Sequence, residues 1–217
     1  MRASRRAASR FIIRAMVLQR IQQQFIDSAD LQYQCAQSLA PAVEAALGAL
    51  LASVTGGGKV LACGNGASIG LVQAFASAFV GRFERDRPEL AALALGGNPA
   101  VFTDLYNAFD ARSVYARQVR ALGQPGDTLL VVTSLSPAPE ILGAVEAAHE
   151  REMTVVALCG ARAGALGQAL DDADVLISVP TERTPRMHEV HQLVLHCLCD
   201  GVDAQLLGDD EPEESIA

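Results

Sequence analysis

The sequence predicts a doubly wound α/β domain on a five-stranded parallel sheet, flavodoxin-like in type and preceded by an N-terminal helical pair. Three observations predict it. From residue 59 onward, short runs rich in Val, Leu and Ala alternate with helix-length segments. Those runs are apolar throughout, as strands buried on both faces require. The first of them (KVLAC, 59–63) leads straight into Gly64-Asn65-Gly66, a sharp strand-to-helix connection.

The elements follow in order. Between residues 17 and 53, apolar residues recur at helical spacing: Leu18, Ile21 and Phe25, then Leu39, Val43, Leu47, Leu50 and Leu51. Pro41 suits the first turn of a second helix, which Thr55-Gly56-Gly57-Gly58 ends. After strand 59–63 come a loop at 64–68, a helix at 69–83 and a strand at 91–95. Residues 96–112 read as irregular or partly helical, and 113–122 as a helix. A strand at 128–133 (TLLVVT), a loop at 134–139 and a helix at 140–150 follow. Strands at 154–159 (TVVALC) and 174–179 (DVLISV) complete the sheet, and a long helix at 185–207 closes the domain. Alternation of this kind means right-handed crossovers.

The two ends differ in charge. Arg2, Arg5, Arg6, Arg10 and Arg14 crowd residues 1–15 without one acid. That segment has the composition of a transit peptide, or else translation starts at Met16; either reading leaves it outside the fold as a disordered basic extension. Residues 16–208 form one domain, and 209–217, carrying Asp209, Asp210, Glu211, Glu213 and Glu214, read as a disordered acidic tail.

Composition bounds the function. Half of the 217 residues are hydrophobic and 19% are charged, which excludes a largely disordered chain. Seventeen Lys and Arg against 25 Asp and Glu leave a net charge of −8, which speaks against direct nucleic-acid binding. No apolar run reaches the ~18 residues of a membrane helix, so no membrane partner is expected. The five cysteines lack zinc spacing and read as reduced thiols of a cytoplasmic protein.

Three loops sit where such folds bind ligands, at the carboxyl ends of strands. In the first, Cys63-Gly64-Asn65-Gly66-Ala67-Ser68, free N–H groups and the Ser68 hydroxyl suit an anion. The glycines also fit a bare turn or a dinucleotide loop, although no acid follows the second strand for a ribose. In the second, Thr133-Ser134-Leu135-Ser136-Pro137-Ala138-Pro139, clustered hydroxyls suit a phosphate. The third is the last helix, with His188, His191 and His196. A metal site is conceivable there, though helical histidines are more often packed.

Five stretches carry a family resemblance: CGNGAS (63–68), RFERDRP (82–88), VYARQVRALGQPGDTLLVVTS (114–134), EREMTVVALCG (150–160) and HEVHQLVLHCLCD (188–200). Through them, from about residue 16 to 207, the chain resembles the sugar isomerase (SIS) domain family, in the branch of phosphoheptose isomerases and DnaA-initiator-associating proteins, and is closer to the latter. The resemblance implies a phosphosugar pocket within a homotetramer, formed here by Asn65, Gly66, Ser68, Thr133, Ser134 and Ser136. In the isomerases a Glu on the helix after the glycine loop and a His on the last helix move the proton. A further His and a Gln join them in some members to bind zinc. Carried over residue by residue, the base position is Ala78 and its neighbouring ligand position Ala74. The Gln position is His188, and the last-helix His is retained as His196.

With the base lost, the expectation is a non-catalytic SIS protein that binds the replication initiator DnaA and promotes chromosome replication initiation, its phosphosugar pocket and His196 vestigial. The alternative is a phosphoheptose isomerase using His188 and His196. No cofactor is expected, and the remaining candidates for zinc are His188 and His196. Leu206 and Leu207, adjacent at the end of the last helix, are expected at a subunit contact.

Overall fold

The computed structural model describes residues 2–134 and 139–208. In chain order the elements are α1 (Arg2–Ser38), α2 (Ala40–Thr55), β1 (Val60–Gly64), α3 (Ser68–Val80), β2 (Ala92–Ala94), α4 (Pro99–Ala108), α5 (Ser113–Leu122), β3 (Thr128–Val132), α6 (Pro139–Glu150), β4 (Thr154–Cys159), α7 (Ala165–Ala169), β5 (Val175–Ser178) and α8 (Thr184–Leu207). The bounds of α1 take in residues 2–15, which the sequence reading set outside the fold. Ser136 and the acidic segment 209–217 lie outside the described residues. No single described helix is long and apolar enough to cross a membrane; Met16–Ser38 and Ala40–Thr55 are so only when taken together, across a 68° bend.

The five strands form one parallel sheet in the order β2-β1-β3-β4-β5. The chain runs outward from β1 to β2 and then crosses back to β3. The order therefore reverses between β1 and β3, and a crevice opens beyond their carboxyl ends. Strands β1 and β3 are buried at every position. Their side chains divide between two cores, as the two-residue period of a strand requires. Val60, Ala62, Leu130, Val132, Val156 and Leu158 pack under α2, α3 and α8. Leu61, Cys63, Leu129, Val131, Val155 and Ala157 pack under α5 and α6. Helices thus cover both faces, and the doubly wound sheet stands as predicted.

Local chemistry sets the helix ends. Pro41 lies in the first turn of α2. The Asn98 side chain accepts from the N–H groups of Ala100 and Val101 and starts α4 within the segment read as irregular or partly helical. No residue of α4 is fully buried; half-buried Phe102 packs on the core beside Tyr115.

Helix α8 is the strut of the domain. Near its start, Arg183 pairs with Asp27 at 2.6 Å, Arg186 donates to the Gln24 carbonyl at 2.7 Å, and Ser28 donates to Glu189 at 2.6 Å. These contacts dock α1. Hydrogen bonds from Gln23 and Arg183 hold the Asp27 carboxyl below the usual carboxylate range. In its middle, His191 is fully buried and its Nε2 lies 3.2 Å from the Cys159 carbonyl at the end of β4. A carbonyl only accepts, so Nε2 carries the proton. Towards its end, Asp203 pairs with Arg87, both side chains buried. Arg87 also donates to the Phe79 and Ala78 carbonyls at the end of α3.

Two outcomes follow from these anchors. Replacing Asp203 by Ala leaves a buried guanidinium without its counter-ion, and such a deletion costs about 3–5 kcal/mol. Urea denaturation of the D203A protein should show a loss of that size. Burial lowers the His191 pKa to about 4, while an unfolded His titrates near 6.5. The unfolded chain therefore binds the extra proton first. Stability from this group is complete above pH 6.5 and falls as pH drops towards 4, by at most about 3 kcal/mol. Stability curves at pH 7 and pH 4.5 should show that slope, and His191→Gln should flatten it.

Candidate functional site

The strand-order switch brings the first two predicted loops together. Thr133, one residue past β3, donates through Oγ1 to Oδ1 of Asn65, one residue past β1, at 3.1 Å. Gly64 makes that approach possible. A Cβ at Gly64 would stand 2.8 Å from the Val132 carbonyl oxygen and 3.1 Å from the Ser68 Cβ. Gly66 has φ +54°, the left-handed region that glycine enters freely. Tyr115, unnoticed in the sequence, donates its hydroxyl to the Gly64 carbonyl at 2.5 Å and pins the loop from behind. Burial pushes the Tyr115 phenol and the Cys63 thiol well above their ordinary pKa values.

The predicted hydroxyls separate by depth. Thr133 is buried and Ser134 half-buried, whereas Gly66 is exposed. Ser68 is fully buried, and its Oγ has no hydrogen-bond partner among the described residues. Beside this switch lies a cavity of about 440 Å³, lined by Ser134, Gly160, Arg162, Thr181, Glu182 and Met187 among others. It opens beyond the carboxyl ends of β4 and β5. Arg162 and Glu182, on the loops after those strands, bridge at 2.6 Å. Neither belongs to a motif. Their only sequence signal is position, each a charged residue just past a buried strand.

The histidines of α8 fall into two places. His188 is half-buried, its ring centroid lies 6.5 Å from that of His191, and burial lowers its pKa. Nε2 of His188 and Nδ1 of His191 are buried without partners among the described residues. His196 is exposed; its ring lies 5.4 Å from Phe83, and the Gln192 amide donates to its Nε2 at 2.6 Å. Eight residues of helix separate His188 from His196 by about 12 Å, so the structure does not bring these two zinc candidates together. Of the four zinc positions that the resemblance implies, Ala74 and Ala78 offer no donor at all. Ala74 is exposed, and Ala78 packs against the core with its carbonyl held by Arg87. This donor set does not fit a zinc ion, which takes three or four ligands at ~2.0–2.3 Å. Leu206 and Leu207 are exposed at 40% and 37%, at the far end of α8.

The SIS domain family matches residues 24–160. The phosphoheptose isomerase of Methylibium petroleiphilum is 52% identical over 196 residues, 90% of this chain and 98% of that protein. That of Aromatoleum aromaticum is 46% identical over 88% of this chain and 97% of its own length. Among solved structures, the phosphoheptose isomerase from Francisella tularensis superposes with a TM-score of 0.82 at 40% identity, covering 86% of this chain and 97% of that one. The phosphoheptose isomerase GmhA from Neisseria gonorrhoeae also reaches 0.82, at 36% identity over 87% and 99% of the two chains. These likenesses overturn the expectation of a non-catalytic DnaA-binding protein, and with it the lean away from an enzyme. The four relatives are matched over nearly their whole length, and each bears the name of an enzyme. The expectation gave two alanines on α3 more weight than the framework around them. Matched over most of its length by the family and by relatives at this identity, the chain belongs to the SIS domain family.

Proposed function

We propose that this protein is a phosphoheptose isomerase, interconverting sedoheptulose 7-phosphate and glycero-manno-heptose 7-phosphate. The observation that carries the reading is the 52% identity to a phosphoheptose isomerase across 90% of the chain. The crevice at the strand-order switch supports it, because hydroxyls and loop N–H groups there suit a sugar phosphate. On this reading Asn65, Gly66, Ser68, Thr133, Ser134 and Ser136 form the phosphosugar pocket.

Aldose–ketose isomerisation needs a base for the proton beside the carbonyl and an acid for its oxygen, with an enediol between them. Helix α3 supplies neither, since Ala74 and Ala78 cannot ionise. Proton transfer therefore falls to α8. Burial lowers the His188 pKa and so favours its neutral, proton-accepting form. His196 lies about 12 Å away along the helix, too far to serve the same enediol within one protomer, so the second group would be a His196 from another copy in the homotetramer. The reading needs no resident cofactor. It places the protein in the cytoplasm as a homotetramer, with Leu206 and Leu207 at a subunit contact.

Purified protein should convert sedoheptulose 7-phosphate, and in D2O the product should carry one deuterium beside the carbonyl. The His196→Ala change should lower kcat by about 10²–10⁴, the usual worth of an acid or base. A folded wild-type protein that leaves the substrate untouched overturns the reading. The pair of changes Leu206→Ala and Leu207→Ala should split the tetramer into dimers by light scattering without lowering the helix content.

A further inference from the structure

The cavity beyond β4 and β5 measures about 440 Å³, within the ~300–1,000 Å³ of small-molecule sites. Its walls carry two hydroxyls, Ser134 and Thr181, and two opposite charges, Arg162 and Glu182. The charges come from separate loops and close on one another at 2.6 Å. Both side chains are largely in solvent, 84% and 64% exposed, and a pair so exposed is worth at most about 1 kcal/mol. The fold does not depend on it. Nearby cations are engaged elsewhere: Arg183 holds Asp27, and Arg186 holds the Gln24 carbonyl and Glu189. Among the described residues lining this cavity, Arg162 is the one positive group, and a weakly held carboxylate covers it.

A phosphate monoester carries a charge of about −1.5 to −2 and three acceptor oxygens, and a guanidinium grips it with two parallel hydrogen bonds. It therefore outcompetes a single exposed carboxylate for the same fork. We propose that Arg162 binds the phosphate of the sugar and that Glu182 masks it in the free protein, the ion pair opening as the phosphate enters beside Ser134. The proposal rests on the phosphosugar reading of this pocket, and it does not depend on turnover. It makes Glu182 a competitor whose charge opposes the ligand, so removing that charge strengthens binding.

Calorimetric titration of the full chain with sedoheptulose 7-phosphate, inorganic phosphate and unphosphorylated sedoheptulose tests it. Arg162→Ala should weaken sedoheptulose 7-phosphate and inorganic phosphate by about tenfold or more, the worth of a charge-assisted fork. Binding of the unphosphorylated sugar, where measurable, should not change. Glu182→Gln should tighten both phosphorylated ligands by roughly threefold or more. Melting temperatures of both variants should match the wild type, because the pair is exposed. Arg162→Ala protein that binds sedoheptulose 7-phosphate as tightly as the wild type overturns the proposal. So does a wild type that does not bind it, or a variant that loses the sugar with and without phosphate alike. Arg162-dependent binding without any turnover would sink the isomerase reading and leave this one standing. Turnover indifferent to Arg162, with unchanged binding, would do the reverse.

Discussion

The approach of Gly64 to β3 is the contact on which the site depends. At that point the end of β1, the start of α3 and the end of β3 share a space that one methyl group would fill. Because the approach is close, Asn65 reaches Thr133, and the glycine loop and the hydroxyl loop become two walls of one crevice. The same closeness drives Ser68 under the loop and leaves its hydroxyl buried. Tyr115 reinforces the arrangement from the opposite core, its hydroxyl held by the Gly64 carbonyl. Chemistry at the crevice is thus set by packing behind it, on the face where α5 and α6 lie.

Helix α8 transmits that order to the rest of the chain. It touches α1 near its start, β4 through His191 and the end of α3 through Arg87 and Asp203. Each anchor joins elements far apart in sequence, so the histidines of α8 are placed by three independent contacts. A half-buried imidazole on such a helix keeps its position relative to the strand ends, which is what proton transfer over hydrogen-bond distances requires.

Much of this architecture was legible in the sequence, and the exceptions have physical causes. The helix at Ser113–Leu122 falls where its one apolar face places it, and the strand at Thr154–Cys159 where an unbroken apolar run marks burial on both faces. Helix α4 reads only as part of an irregular or partly helical stretch because none of its residues is fully buried, and α7 is missed because five residues with a glycine carry no period. The meeting of Asn65 and Thr133 followed from topology alone, since parallel neighbours end side by side. The depth of Ser68 did not, because it depends on an interatomic distance at Gly64. Arg162 and Glu182 were ordinary surface charges until two loops, 20 residues apart in number, faced one another across a cavity.

The functional expectation failed for a related reason. It treated the loss of ionisable groups on α3 as loss of the reaction, although helices α3 and α8 border the same crevice and either can present a proton acceptor. A carboxylate becomes a stronger base as its pKa rises towards neutral, whereas an imidazole begins close to that range. Partial burial lowers the His188 pKa and favours its neutral, proton-accepting form. In an isomerase built this way the substitutions on α3 change the class of group that handles the proton. In that isomerase the phosphate would be set by the strand ends and the loops beyond them, whatever α3 carries at Ala74 and Ala78.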